Sequence, residues 1–356
     1  MNKKSFNGFS VVLTFIALCL AGCQLGPVYE GNLDLSEYES VWQYLKVYSI
    51  YQDRVPETPF TLIDKGDSSP AALLTSIHDT LRGFTYTKYI PLEPATLAYN
   101  LPKSTLTAAS PGEIAFQPLT DSTAVVVIAS FSETTYREFL RKIPPASMFS
   151  NIIVDLRFNP GGDIISLDSI VSAFLPTNTP YINARYRDYD TKTKVARTVE
   201  WSPWKSFEGP LPELRNKKLA VLINEGSASA AEIFAAGLKD GVSALLLGEK
   251  SYGKAIGQIK IPRRDRDSLQ ITYLQLKGLS NRIGEYGNGK GIVPDTVPDS
   301  VVMSGMGITD IEVRDLWYAI KMLEPSADRS KLLLRKTAVL PPKQQGCFLV
   351  SSPDPL

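Results

Sequence analysis

Residues 219–258 read LAVLINEGSASAAEIFAAGLKDGVSALLLGEKSYGKAIGQ. Three patterns follow one another in this stretch. Leu219 to Ile223 is a short continuous apolar run, which is how a strand buried on both faces reads. Ala230 to Leu238 is Ala-rich and helix-forming, and Ala244 to Leu247 is apolar again. Strand, helix and strand in so short a span predict a βαβ unit and a layered α/β core.

Working outward, the same texture holds on both sides. Val125 to Ile128 and Ile152 to Val154 are buried-strand signals, with a helix expected over Thr134 to Ile143 between them. Leu167 to Phe174 predicts a further helix. Downstream, Ile256 to Ile261 and Leu269 to Leu276 form an expected hairpin around the charged segment Arg263 to Asp267. Thr309 and Glu312 have capping-box spacing and open a helix to Leu323.

Towards the N-terminus, Val41, Leu45, Tyr48 and Tyr51 recur at helical spacing within Leu35 to Arg54. Asp67-Ser68-Ser69-Pro70 starts a second helix that runs to Leu81 and carries His78. Tyr86 to Ser122 is polar and Pro-containing, and too short for an extra module. The expected organisation is a leader over 1–22, a tether over 23–34, a helical region and connector over 35–122, a core over 123–324 and a Pro-rich tail over 325–356.

The leader has a basic start at Lys3 and Lys4, an apolar Val11 to Leu20 broken only by Thr14, and Leu20-Ala21-Gly22-Cys23. This is a secretory signal pattern, and its apolar part is too short to span a bilayer. It resembles a bacterial lipobox, in which the Cys is lipidated. That resemblance implies an acylated Cys23, a lipid bilayer as partner, and a place in the bacterial cell envelope facing the periplasm, at the outer membrane.

Removing the leader takes two lysines from the 38 basic side chains and none of the 37 acidic ones, so the mature chain is near neutral and offers nucleic acid no basic surface. Of the three cysteines, Cys19 would leave with the leader and Cys23 would be acylated, so Cys347 has no partner for a disulfide. One histidine and no cysteine pair leave a metal site almost no ligands, and no cofactor motif is present.

Several residues carry possible chemistry. Ser229 sits where an apolar strand meets a helix, beside the unpaired N–H groups of the first helical turn. Those donors can hold a developing oxyanion, although an N-cap serine has the same position. Ser227 competes for either role. Lys254 is a candidate general base, which requires its pKa to fall by roughly 3 units through burial. A surface lysine is the plainer reading. Gln258 would share a strand face with residue 254 and could orient the amine, or be an ordinary exposed strand residue. Asn159-Pro160-Gly161-Gly162 follows a buried strand, and either is a plain turn or supplies a backbone donor to an oxyanion hole. His78 is a possible alternative base for Ser229, or a structural helix residue.

Taken together, four segments in order resemble the carboxy-terminal processing peptidases, also called tail-specific proteases. They are Asp155 to Gly162, Asn224 to Glu232, Gly248 to Gln258, and Gly289 to Asp295, within a resemblance that covers Thr123 to Leu323. The resemblance implies a crotonase-like layered core of mixed sheets and helices with a small N-terminal helical region. It implies Ser229 as nucleophile, Lys254 as base and Gln258 as the residue orienting it. It also implies an oxyanion hole from the Ala230 amide and that of Gly161 or Gly162, with no metal.

The expected function is a serine endopeptidase acting on envelope or partly unfolded proteins, with a protein or peptide substrate as partner. The alternatives are a catalytically silent lipoprotein used as a binding or scaffold module, and an esterase or amidase on the same dyad. Two departures stand out. Tyr86 to Ser122 lacks the Gly-rich carboxylate-binding loop of a PDZ domain, and Phe158 replaces a small or polar residue beside the expected oxyanion hole.

Overall fold

A computed structural model describes residues 37–55, 57, 74, 87–90, 112–190, 192–263, 267–279, 286–287, 290–298, 311–328 and 330. Cys23, His78, Thr309 and nearly all of the expected helix from Asp67 to Leu81 lie outside the described residues.

In chain order the described elements are α1 (Glu37–Tyr48), β1 (Lys88–Ile90), β2 (Ile114–Pro118), β3 (Thr123–Ile128), α2 (Thr135–Lys142), β4 (Asn151–Asp155) and α3 (Ile164–Ser172). Then come β5 (Pro180–Asp190), β6 (Val195–Lys205), β7 (Lys218–Ile223), α4 (Ala230–Val242), β8 (Leu245–Gly248), β9 (Ile256–Arg263), β10 (Asp267–Lys277) and α5 (Ile311–Leu323). The class is mixed α/β, as expected. Among the described residues one sheet has the order β2-β3-β4-β7-β8, and another β1-β10-β5-β6 with β9 paired to β10.

The chain forms two compact units. One draws on Met1–Asn100, Tyr186–Val199 and Gln258–Leu274, the other on Leu101–Arg185, Glu200–Gly257 and Gln275–Leu356. Within the first, α1 buries Val41 and Leu45 against Ile261, Leu269 and Ile271.

The second unit holds the sheet β2-β3-β4-β7-β8. Strands β3, β4, β7 and β8 are parallel, and β2 is antiparallel to β3. Strand β2 lies inside the stretch expected as a connector; its register puts Ile114 opposite Ile128. Parallel strands need crossovers, and α2, α3 and α4 lie in the chain between successive strands.

Both faces of the sheet are covered, so its strands read as apolar runs rather than alternating ones. Val125, Val127, Ile153, Ala220 and Leu222 lie on one face and pack against Leu316, Trp317, Ile320 and Leu323 of α5. Their period of two places Val126, Val154 and Val221 on the other face, where all three are fully buried.

The register sets the position of everything that follows. Asp155 at the end of β4 stands opposite Leu222 of β7, and Ile223 opposite Gly248 of β8. The loops after β4, β7 and β8 therefore leave the sheet side by side at its carboxyl edge, where open α/β sheets place ligands.

Candidate active site

The loop after β4 is fixed before it reaches its glycines. Arg157 is buried and pairs with Asp155 at 2.7 Å and with Asp315 of α5 at 3.4 Å. Asn159, fully buried, donates from Nδ2 to the Ile128 carbonyl at 2.8 Å and accepts the Gly161 amide on Oδ1 at 2.8 Å. Its own carbonyl accepts the Ala228 amide at 2.9 Å, which ties this loop to the one after β7.

Asn224 makes a second tie. Its Oδ1 accepts the amides of Phe158 at 2.8 Å and Gly226 at 3.1 Å. Phe158 adopts φ 61°, in the left-handed region that a side chain of this size seldom occupies. The half-buried ring lies against Gly226, where an added Cβ would stand 2.9 Å from the Phe158 Cα.

The two candidate serines now separate. Ser227 is fully buried, and its hydroxyl is committed: it donates to the Leu156 carbonyl at 2.8 Å and accepts the Asn224 amide at 3.0 Å. Ser229 is half-buried at the mouth of α4, with φ 55° and ψ −115°. With Glu232 it has a capping-box arrangement, in which the Glu232 carboxylate accepts the Ser229 amide. The strained backbone turns the residue out of the path from strand to helix, a cost of order 1–3 kcal/mol that the surrounding hydrogen bonds hold in place.

Gly161 abuts this turn. A Cβ there would lie 2.7 Å from the Ala228 carbonyl oxygen, 2.8 Å from the Ala230 nitrogen and 2.8 Å from the Ser229 Cβ. The glycine lets the two loops come this close. Its amide is taken by Asn159, whereas the amides of exposed Gly162 and of Ala230 have no acceptor among the described residues.

Lys254 lies in the loop after β8, half-buried, just before β9. This loop docks on the turn that carries Ser229 through the Tyr252 amide, which donates to the Ser227 carbonyl at 3.0 Å. Residues 290–298 brace it from outside: the Ser251 amide donates to the Ile292 carbonyl at 3.0 Å, and the Ile292 amide to Ser251 Oγ at 2.7 Å.

The residue that sequence reasoning missed is Glu232. It is fully buried in the first turn of α4. Oε2 accepts the Ser229 amide at 2.8 Å and the Lys254 amide at 2.9 Å. Oε1 accepts the Ser251 hydroxyl at 2.5 Å and the Gly253 amide at 2.7 Å. Burial raises its pKa to about 7, against the lowering pull of these four hydrogen bonds. The signal was present, since Ser229-x-x-Glu232 has capping-box spacing.

Five of the candidate residues thus fall in one unit: Ser229, Lys254, Gly161, Gly162 and Ala230. Gln258 belongs to the other unit, in β9, where its buried Nε2 has no hydrogen-bond partner among the described residues. No group of residues able to hold a metal ion occurs among the described residues, and no helix there is long and apolar enough to cross a membrane.

The mixed α/β fold sets a strained serine at a strand-to-helix turn, with open amides beside it and a lysine loop docked behind it. Residues 122–297 match the model of peptidase family S41. It is 30% identical over 178 residues to a probable CtpA-like serine protease of Staphylococcus haemolyticus (strain JCSC1435), covering 49% of this chain and 33% of the relative. A probable CtpA-like serine protease of Staphylococcus aureus (strain COL) matches over the same shares at 29% identity. The match thus spans about a third of the length of these curated relatives.

Among solved structures, the photosystem II D1 C-terminal processing protease superposes with a TM-score of 0.52 at 15% identity, over 78% of this chain and 94% of that one. A lipoprotein from Streptococcus agalactiae superposes with a TM-score of 0.53 at 15% identity, over 84% and 100%. Both share the fold.

Proposed function

We propose that this protein is a serine endopeptidase in which Ser229 is the nucleophile and Lys254 the general base. Lys254 Nζ takes the hydroxyl proton as Ser229 Oγ bonds to the scissile carbonyl carbon. The carbonyl oxygen becomes an oxyanion between the Gly162 and Ala230 amides. Collapse expels the amine, which takes the proton back from Lys254 and leaves an acyl-enzyme. Water, deprotonated by the same lysine, then releases the acid and restores Ser229. Gln258 is assigned the role of orienting the lysine amine, by accepting a hydrogen bond from it.

The observation that carries the reading is the backbone conformation of Ser229, strained at φ 55° and ψ −115°. Nothing in capping an ordinary helix requires that strain.

Substrates are protein segments in extended form, and the protein is anchored at the cell envelope through an acylated Cys23 behind a leader at 1–22 and a tether at 23–34, facing the periplasm. The chemistry of Leu20-Ala21-Gly22-Cys23 supports the anchor.

Ser229→Ala should lower turnover of an unstructured protein substrate by on the order of 10³–10⁶-fold with unchanged circular dichroism. Lys254→Arg should be equally inactive, because a guanidinium cannot accept the proton. Full activity in either variant would sink the assignment. Retained binding of substrate with no turnover by the unmodified protein would support the scaffold alternative.

A further inference from the structure

We propose that Glu232 is a positioning residue that sets the spacing of nucleophile and base by holding the backbone amides of Ser229 and Lys254 on one carboxylate oxygen. This rests on the Ser229–Lys254 reading and adds the element that joins the two residues. Two loops that leave different strands, after β7 and after β8, meet on a side chain of α4. The other oxygen collects Ser251 and Gly253, so the loop carrying the base is held at three points along its length.

All four partners donate. Three are amides, and the Ser251 hydroxyl already accepts the Ile292 amide. An ionised carboxylate accepts all four on its two oxygens. A protonated carboxyl brings a donor and fewer lone pairs to one pair, and the isosteric glutamine presents only donors there. Glu232 touches no reacting atom, so its effect passes through geometry: a displacement of about 1 Å at such a site costs on the order of 100-fold in rate.

The charge state of Glu232 therefore belongs to the active form. Among the described residues, the titratable ones that face it are Lys254, through its amide, and Tyr286, whose phenol is held well above its usual range by burial and then by this carboxylate. Burial has already brought Glu232 to about 7. A proton on Glu232 then opposes catalysis in addition to the one that must leave Lys254 Nζ before it can act as base.

The test is the pH dependence of kcat and KM on a fluorescently labelled unstructured protein, for the wild type, Ser229→Ala and Glu232→Gln. In the wild type the acid limb of log kcat/KM should steepen to a slope near two. In Glu232→Gln, kcat should fall about 10–100-fold with KM within about threefold, and the limb should relax to a slope of one. A wild-type slope of one overturns the proposal even if Glu232→Gln does not fold. A folded Glu232→Gln with an unchanged slope overturns it as well. Activity retained by Ser229→Ala overturns the underlying Ser-Lys reading instead, so the two failures are distinguishable.

Discussion

The contacts that a side chain at Gly161 would make all belong to the turn that carries Ser229: the carbonyl of Ala228, the Cβ of Ser229 and the nitrogen of Ala230. The residue also sits at φ +92°, where a Cβ is strained whatever the space around it. Gly161→Ala must displace the turn that carries Ser229. It should lower kcat by at least about 100-fold and cost about 1–3 kcal/mol of stability, measured together by steady-state kinetics and thermal melting. Loss of stability without loss of kcat would mean that the turn yields without disturbing the reacting groups. Asn224 works at the same scale from the other side, since one oxygen fixes both Phe158 and Gly226.

At the scale of elements, α5 is more than a cover for the sheet. It contributes Asp315, which shares Arg157 with Asp155 and also pairs with Arg314 at 3.0 Å. Arg157, Asp155 and Asp315 are each at most 3% exposed. Removing Asp315 leaves the buried Arg157 with Asp155 alone and one part of its guanidinium unbonded, so Asp315→Ala should destabilise by about 1–3 kcal/mol in urea unfolding. The cost should come with reduced activity, because Arg157 opens the loop that carries Gly161 and Gly162. Strands β3, β4, β7 and β8 were legible in the sequence because a strand covered on both faces is an unbroken apolar run. Strands β5 and β6 were not, because half-exposed strands carrying Arg185, Asp188, Arg197 and Glu200 lack that signal. The sequence reading ended α4 at Leu238, before Lys239, Asp240 and Gly241; the helix runs on to Val242, and Gly241 there lets it approach Leu175 and Thr179. Ser229 and Lys254 could be picked out by type and spacing, but what links them could not. A buried glutamate bonded to loops from two strands looks, in sequence, like one more helix-cap residue.

At the scale of the whole molecule, the site is in tension with stability. Burial raises Glu232 from 4.5 to about 7, so the folded protein binds a proton that the unfolded chain releases. A raised carboxylate contributes stability that is fully present below its unfolded pKa and is lost as pH rises through the folded value. From this residue alone, roughly 2–3 kcal/mol should disappear between pH 5 and pH 7. Asp168, raised to about 6 mainly by burial beside Tyr181, acts in the same direction. The inactive Ser229→Ala protein, which cannot digest itself, should therefore melt at a lower temperature at pH 8 than at pH 5.5 by differential scanning calorimetry. The reverse order would show that other carboxylates dominate the pH dependence. Activity and stability would then have opposite pH preferences, as expected where a functional group is kept in a costly environment.

The first compact unit is assembled from three separate pieces of chain, the last of them Gln258–Leu274. During synthesis at the ribosome its opening segment must wait for that last piece, long after the residues of α1 have emerged. Contacts so distant in sequence form slowly and leave apolar surface uncovered in the meantime. Val41 and Leu45, whose partners Ile261, Leu269 and Ile271 are made last, are the surface a chaperone would meet first.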